Sequence, residues 1–270
     1  MTQTGMLPQT APMYWAIWML LSIPALAETT LSRSGAHWTI EGIFVDGHGP
    51  FRFLLDTGAE STVLDPAVAE RIGLRPSYRV EVVSVNGSRL VAAVERADLT
   101  VDGTVVTGEV LLDSMVPARR GDVEIAGILG QSALRGRSYE LDLGRGRFRL
   151  GGVAPVGGWR VAYGSSASRP CVQLPGLRLV LDSGVGAVVL FRSSYPGVRR
   201  TGTVEVGTMG GEKRIAQAGI LESWDLGDLK LRNVPVVFHP NGRNDADGLL
   251  PVGLFSRVHV DPNGLITLEL

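Results

Sequence analysis

Two short stretches carry side chains that could do chemistry together. Phe53-Leu54-Leu55-Asp56-Thr57-Gly58-Ala59 runs three apolar residues into an acid, a hydroxyl and a glycine, and Leu179-Val180-Leu181-Asp182-Ser183-Gly184-Val185 repeats that order of types 126 residues later. A single Asp-[Ser/Thr]-Gly triplet arises by chance in roughly one chain in ten of this length. The same triplet twice, each time after an apolar strand-like lead-in, is a different matter. A carboxylate at the end of a buried strand is costly unless something requires it. Two carboxylates brought within a few Å cannot both ionise easily. Such a pair holds one proton and titrates as a unit, so one partner can act as general base while the other acts as general acid.

The elements needed to bring the acids together are also repeated. After the first acid loop, Ser61 to Leu64 reads as a strand, and Asp65-Pro66 opens a short helix that ends near Gly73. Val80 to Arg89 is an alternating strand running into Asn86-Gly87, a strong hairpin signal. Turns follow at Asp102-Gly103 and Gly144-Arg145-Gly146, with the short apolar piece Gly127-Ile128-Leu129-Gly130 between them. Past the second acid loop the series returns in the same order, with offsets of 119 to 126. Val204 to Lys213, with Met209-Gly210-Gly211 inside it, matches Val80 to Arg89. Leu226 to Leu231 matches the Asp102 hairpin, Gly248 to Pro251 matches Gly127 to Gly130, and Val258 to Leu270 matches the closing hairpin. The expectation is an all-β chain of two homologous lobes with short helices and one site between them. The boundaries are residues 28–153 for the first lobe, 154–167 for a Gly-, Ser- and Pro-rich linker, and 168–270 for the second lobe.

At this point the residues resemble the aspartic peptidases, in particular the retropepsin-like (retroviral-type) branch in a bacterial, two-lobe, single-chain form. The resemblance covers nearly all of residues 37–270. It implies two pseudo-symmetric β lobes with the active site at their interface, and a chain that carries both lobes needs no dimer, so a monomer is expected. It implies Asp56 and Asp182 as the catalytic acids, with Thr57, Gly58, Ser183 and Gly184 as their supporting loops. It further implies flaps over an extended peptide at Asn86, Gly87, Gly210 and Gly211. Ala59 follows the retroviral pattern. Val185 in place of Ala59 and Pro251 in place of Gly130 depart from it. The function expected is that of an exported aspartic endopeptidase. The alternative is a catalytically inactive peptide-binding module that keeps the cleft.

Composition bounds the remaining classes. The chain of 270 residues is 44% hydrophobic and 20% charged, with 35 glycines and a formal net charge of −1, so nothing attracts it globally to nucleic acid or an anionic membrane. Residues 14–27 form an apolar run too short to span a bilayer as a helix. It ends in Ala25-Leu26-Ala27, which reads as a signal peptide over residues 1–27 and points to a bacterial periplasm or exterior. An uncleaved anchor and a buried strand are the rival readings of that run. Cys171 is the only cysteine and reads as a small buried residue. His37, His48, His239 and His259 lack zinc-ligand spacing and read as surface or packing residues, and neither a metal nor a cofactor is expected. Gly130-Gln131-Ser132-Ala133-Leu134 lacks the last glycine of a nucleophile elbow. The arginines at 135, 137, 145, 147 and 149 read as a solvated hairpin face.

Overall fold

The computed structural model describes residues 29–35, 37–84, 87–115, 124–166, 168–207, 213–227, 229–240 and 245–270. In the first half the elements are β1 (Thr29–Ser34), β2 (His37–Val45), β3 (His48–Leu55), β4 (Thr62–Leu64), α1 (Pro66–Arg71), β5 (Tyr78–Ser84), β6 (Gly87–Val101), β7 (Thr104–Leu112), β8 (Gly127–Leu129), α2 (Gln131–Leu134), β9 (Tyr139–Asp142) and β10 (Arg147–Leu150). The second half has β11 (Trp159–Ser166), β12 (Arg169–Leu174), β13 (Leu177–Asp182), β14 (Val188–Leu190), β15 (Val198–Gly207), β16 (Lys213–Leu226), β17 (Leu229–Phe238), β18 (Gly248–Pro251), β19 (Arg257–Asp261) and β20 (Leu265–Glu269). Among the described residues the fold is all-β with two short α-helices and a single 3-10 turn at Val252–Leu254, as the pattern of short Val- and Leu-rich runs implies.

Local chemistry explains the elements nearest the site. The β2–β3 turn falls on Asp46-Gly47 and the β6–β7 turn on Asp102-Gly103, all four with positive φ, the backbone that two-residue hairpin turns require. Asp65 caps α1 by accepting from the Ala67 amide at 2.9 Å, with Pro66 in the first turn and Gly73 at φ 78° beyond the end.

The same pairings occur in both halves. β3 runs parallel to β8 and β4 parallel to β7, while β4 and β8 cross antiparallel. In the second half β13 runs parallel to β18 and β14 parallel to β17, while β14 and β18 cross antiparallel. The crossing is tight in both places. A Cβ on Gly127 would collide with the Val63 carbonyl oxygen, and one on Gly248 with that of Val189. The long hairpins β5–β6 and β15–β16 extend from this framework.

The halves are joined by a six-stranded antiparallel sheet in the order β1, β10, β9, β19, β20, β11. One buried apolar cluster, including Phe53, Leu55, Leu129, Leu141, Leu181, Leu250, Val258 and Leu268, continues through both halves. The stretch expected as a linker, 154–167, contains all of β11. Its Trp159 and Val161 pair with Leu268 and Ile266, and Tyr163 begins the pairing with β12. The Gly, Ser and Pro around it mask a strand whose partner is the C-terminal hairpin.

Candidate active site

Each acid stands at the end of a strand whose lead-in is held from both sides. Leu55 ends β3, with Leu54 beside Ile128 of β8, and the Asp56 amide donates to the Leu129 carbonyl at 3.0 Å. Asp182 ends β13 directly opposite Pro251 of β18. The apolar lead-ins Phe53-Leu54-Leu55 and Leu179-Val180-Leu181 are buried because both faces of these strands are covered.

The two loops are locked together by a reciprocal set of four hydrogen bonds. The Thr57 hydroxyl donates to the Leu181 carbonyl at 2.8 Å and accepts from the Ser183 amide at 3.0 Å. The Ser183 hydroxyl donates to the Leu55 carbonyl at 2.7 Å and accepts from the Thr57 amide at 3.0 Å. Both residues are fully buried. Each hydroxyl therefore satisfies one donor and one acceptor of the opposite loop, in a place water does not reach.

This lock sets the acids side by side. Each carboxyl lies against the glycine of the opposite loop. The Gly58 amide donates to Asp56 Oδ1 at 2.9 Å and the Gly184 amide to Asp182 Oδ1 at 2.7 Å. A Cβ at Gly58 would run into the Asp182 carboxyl, and one at Gly184 would lie 3.1 Å from the Asp56 carboxyl carbon. The Gly58 site has no room for a side chain, and at Gly184 the two carboxyls would have to give by a few tenths of an Å.

Burial raises the proton affinity of both acids. For Asp182 the Asp56 charge adds to burial, and its carboxyl stands well above the usual range, with the Gly184 amide and Arg169 opposing. For Asp56 burial is opposed by the Gly58 and Ala59 amides and by His37, so the rise is smaller. Two coupled acids that are both raised in this way favour one shared proton.

Four other residues act on the loops. Gln131, buried at the start of α2, donates from its side chain to the Thr57 carbonyl at 2.9 Å, while its amide holds the Ala59 carbonyl at 2.9 Å. Ser132 accepts from the Thr62 amide at 2.8 Å. His37 Nδ1 lies 3.0 Å from the Gly184 carbonyl oxygen, which corrects its reading as a surface or packing residue. Arg169, buried, is paired with Asp245 and lies 3.9 Å from Glu60, the residue after Ala59. The buried glutamine is visible in the sequence as a polar residue inside an apolar helix start. His37 and Arg169 leave no comparable signal, because each acts on the other half of the chain.

The departures in the second half have a structural counterpart. In the first half the Gly130 amide donates to the Thr62 hydroxyl at 3.2 Å. Pro251 has no amide hydrogen, and Val188, the β14 residue at the place of Thr62, has no hydroxyl. Donor and acceptor are lost together, so the exchange leaves no orphaned polar group. Val185 is half-buried beside its loop. Of the expected flap residues, Asn86, Gly210 and Gly211 lie outside the described residues, and Gly87 opens β6 opposite Ser84. Among the described residues no group of three His, Cys, Asp or Glu side chains is placed to hold a metal ion, and no helix is long and apolar enough to cross a membrane.

The two Asp-[Thr/Ser]-Gly loops thus interlock on an all-β framework. Residues 42–133 match the family model described as aspartyl protease. That match contains the first acid loop and ends within α2. No curated protein matches the chain.

Proposed function

We propose that the chain is an exported aspartic endopeptidase and that Asp56 and Asp182 activate the water that hydrolyses a peptide bond. The observation that carries this is the acid pair itself: two carboxyls, each set against the glycine of the other's loop and each of raised proton affinity, at the junction of the two halves. Asp56, whose proton affinity is raised less than that of Asp182, is the general base. It takes a proton from water as the water oxygen attacks the carbonyl carbon. Asp182 gives its proton to the carbonyl oxygen, which yields a neutral tetrahedral diol. Asp56 then returns its proton to the nitrogen, the C–N bond breaks, and one diol proton passes back to Asp182 as the acid forms. The substrate lies extended beneath the β5–β6 and β15–β16 hairpins and adds strand-like hydrogen bonds. The inactive-binder alternative draws on Pro251 and Val185, and the loss of donor and acceptor together at Pro251 and Val188 speaks against the first of these.

The purified protein is incubated with a mixed peptide library between pH 3 and pH 7, beside Asp56→Asn and Asp182→Asn, and cleavage is read by mass spectrometry. Wild type is expected to cut at least about a hundredfold faster than either variant. Cleavage no faster than in the variants overturns the enzyme reading. Export rests on the sequence of residues 14–27 and is tested separately: N-terminal sequencing of the expressed protein is expected to begin at Glu28.

A further inference from the structure

We propose that His37 is a positioning residue for the acid pair, tying the second acid loop to the first half by its Gly184 carbonyl and setting the charge beside Asp56. The strand register leads to this. β2 and β3 pair Trp38 with Leu55, so one step further puts His37 opposite Asp56. β12 and β13 pair Cys171 with Val180, so two steps further put Arg169 opposite Asp182. A basic side chain thus stands across the hairpin from each acid, and each reaches over to the other half's loop: His37 Nδ1 to the Gly184 carbonyl at 3.0 Å, and Arg169 Nε to Glu60 at 3.9 Å. The second-half base is a permanent cation.

A carbonyl oxygen only accepts, so Nδ1 must carry the hydrogen in this contact. That holds for the imidazolium and for one neutral tautomer alike. The hydrogen bond and the charge are therefore separable. The bond fixes the Gly184 carbonyl, two residues past Asp182. The charge, when present, favours the ionised form of Asp56. The charged groups on the elements around the imidazole are few. Asp56 and Asp182 lie on the acid loops, and Arg169 starts β12. On β1, Arg33 is turned away over the Trp38 ring at 5.9 Å. Glu41, four residues along β2, is paired with Arg52 of β3.

His37→Asn keeps a donor near the Nδ1 position and removes the charge, whereas His37→Leu removes both. Two readouts are taken on the full chain. In an NMR titration of protein carrying 13C-labelled aspartate carboxyls, assigned with Asp56→Asn, the Asp56 transition is expected to move up by about one pH unit in both variants. In peptide hydrolysis the acid limb of kcat/KM moves up with it. Plateau kcat stays within about threefold of wild type in His37→Asn and falls about tenfold or more in His37→Leu, with KM little changed. The rate effects rest on the peptidase reading, and the carboxyl titration does not. A wild type that cuts nothing therefore sinks the peptidase reading and leaves the titration to decide His37. An Asp56 transition that superimposes on wild type in His37→Asn overturns the proposal, and that variant suffices if His37→Leu does not fold.

Discussion

At the residue scale, the most exacting positions are the two hydroxyls rather than the two acids. Thr57 and Ser183 each join two buried backbone groups of the opposite loop. Thr57→Val preserves the shape and removes both contacts, leaving the Leu181 carbonyl and the Ser183 amide unpaired in a dry place. The expected cost is about 2–4 kcal/mol of stability, measured by urea unfolding. Ser183→Ala is expected to cost a similar amount. Because the hydroxyls serve one interface, the double variant should fall short of the sum by about 1 kcal/mol or more. Strict additivity would mean that the four bonds are independent. The acid loops themselves are legible in the sequence, since both the order of residue types and the apolar lead-in are repeated. His37 and Arg169 are not legible, because their partners depend on a register that continues past the paired strands and into the other half. The consequence of Pro251 was hidden for a related reason: it is harmless only with Val188 at the matching place, and the two are 63 residues apart.

At the element scale, the framework behind each acid is a crossing of two short strands, β4 over β8 and β14 over β18. The hairpins around them could be read from Asp-Gly turns and alternation, which are local signals. The crossings could be read only as paired glycines, and β11 escaped because its pairing with β20 spans most of the second half. Gly127→Ala and Gly248→Ala test the crossings. In each variant the methyl group meets a backbone oxygen first, and at Gly127 it meets the Phe53 ring as well. Each is expected to destabilise by about 2–4 kcal/mol, with thermal unfolding as the readout. Gly136→Ala is a useful contrast. Its φ of 77° makes alanine unfavourable, but no atom lies within 4 Å of the added Cβ, so a cost of only about 1 kcal/mol is expected. Equal costs at the three positions would mean that backbone entropy, and not the crossing, fixes the glycines.

At the scale of the whole molecule, acid acts on the fold in opposite directions at two places. The carboxyls of Asp56 and Asp182 have raised proton affinity, so their protonation favours the folded chain: that stability is fully present below the ordinary carboxylate range and fades as pH rises through their folded values. The six-stranded sheet behaves the other way. His259 is buried on β19, opposite Thr267 of β20 and Glu140 of β9, where the two halves meet. Burial lowers its proton affinity below the ordinary 6.5, more than Glu140, Asp261 and the Gly152 backbone raise it. Unfolded chains therefore take up this proton first as pH falls below 6.5, and the fold loses stability there until the folded imidazole protonates as well. Asp142 adds a later loss. It is buried, but the Arg145 amide and the Arg145 and Arg257 guanidiniums outweigh burial and hold its carboxyl low, and Arg257 reaches it from the other half at 3.3 Å. Its contribution disappears as pH falls through that lowered value. His259→Gln separates the stages. Urea unfolding between pH 7 and pH 5 should show a shallower loss of stability in the variant than in wild type. The difference in slope should not exceed about 1.4 kcal/mol per pH unit, the limit for one proton. Below that range the Asp142 stage should remain in both proteins. Parallel curves from pH 7 to pH 5 would remove His259 as the acid-sensitive point of the sheet that joins the halves.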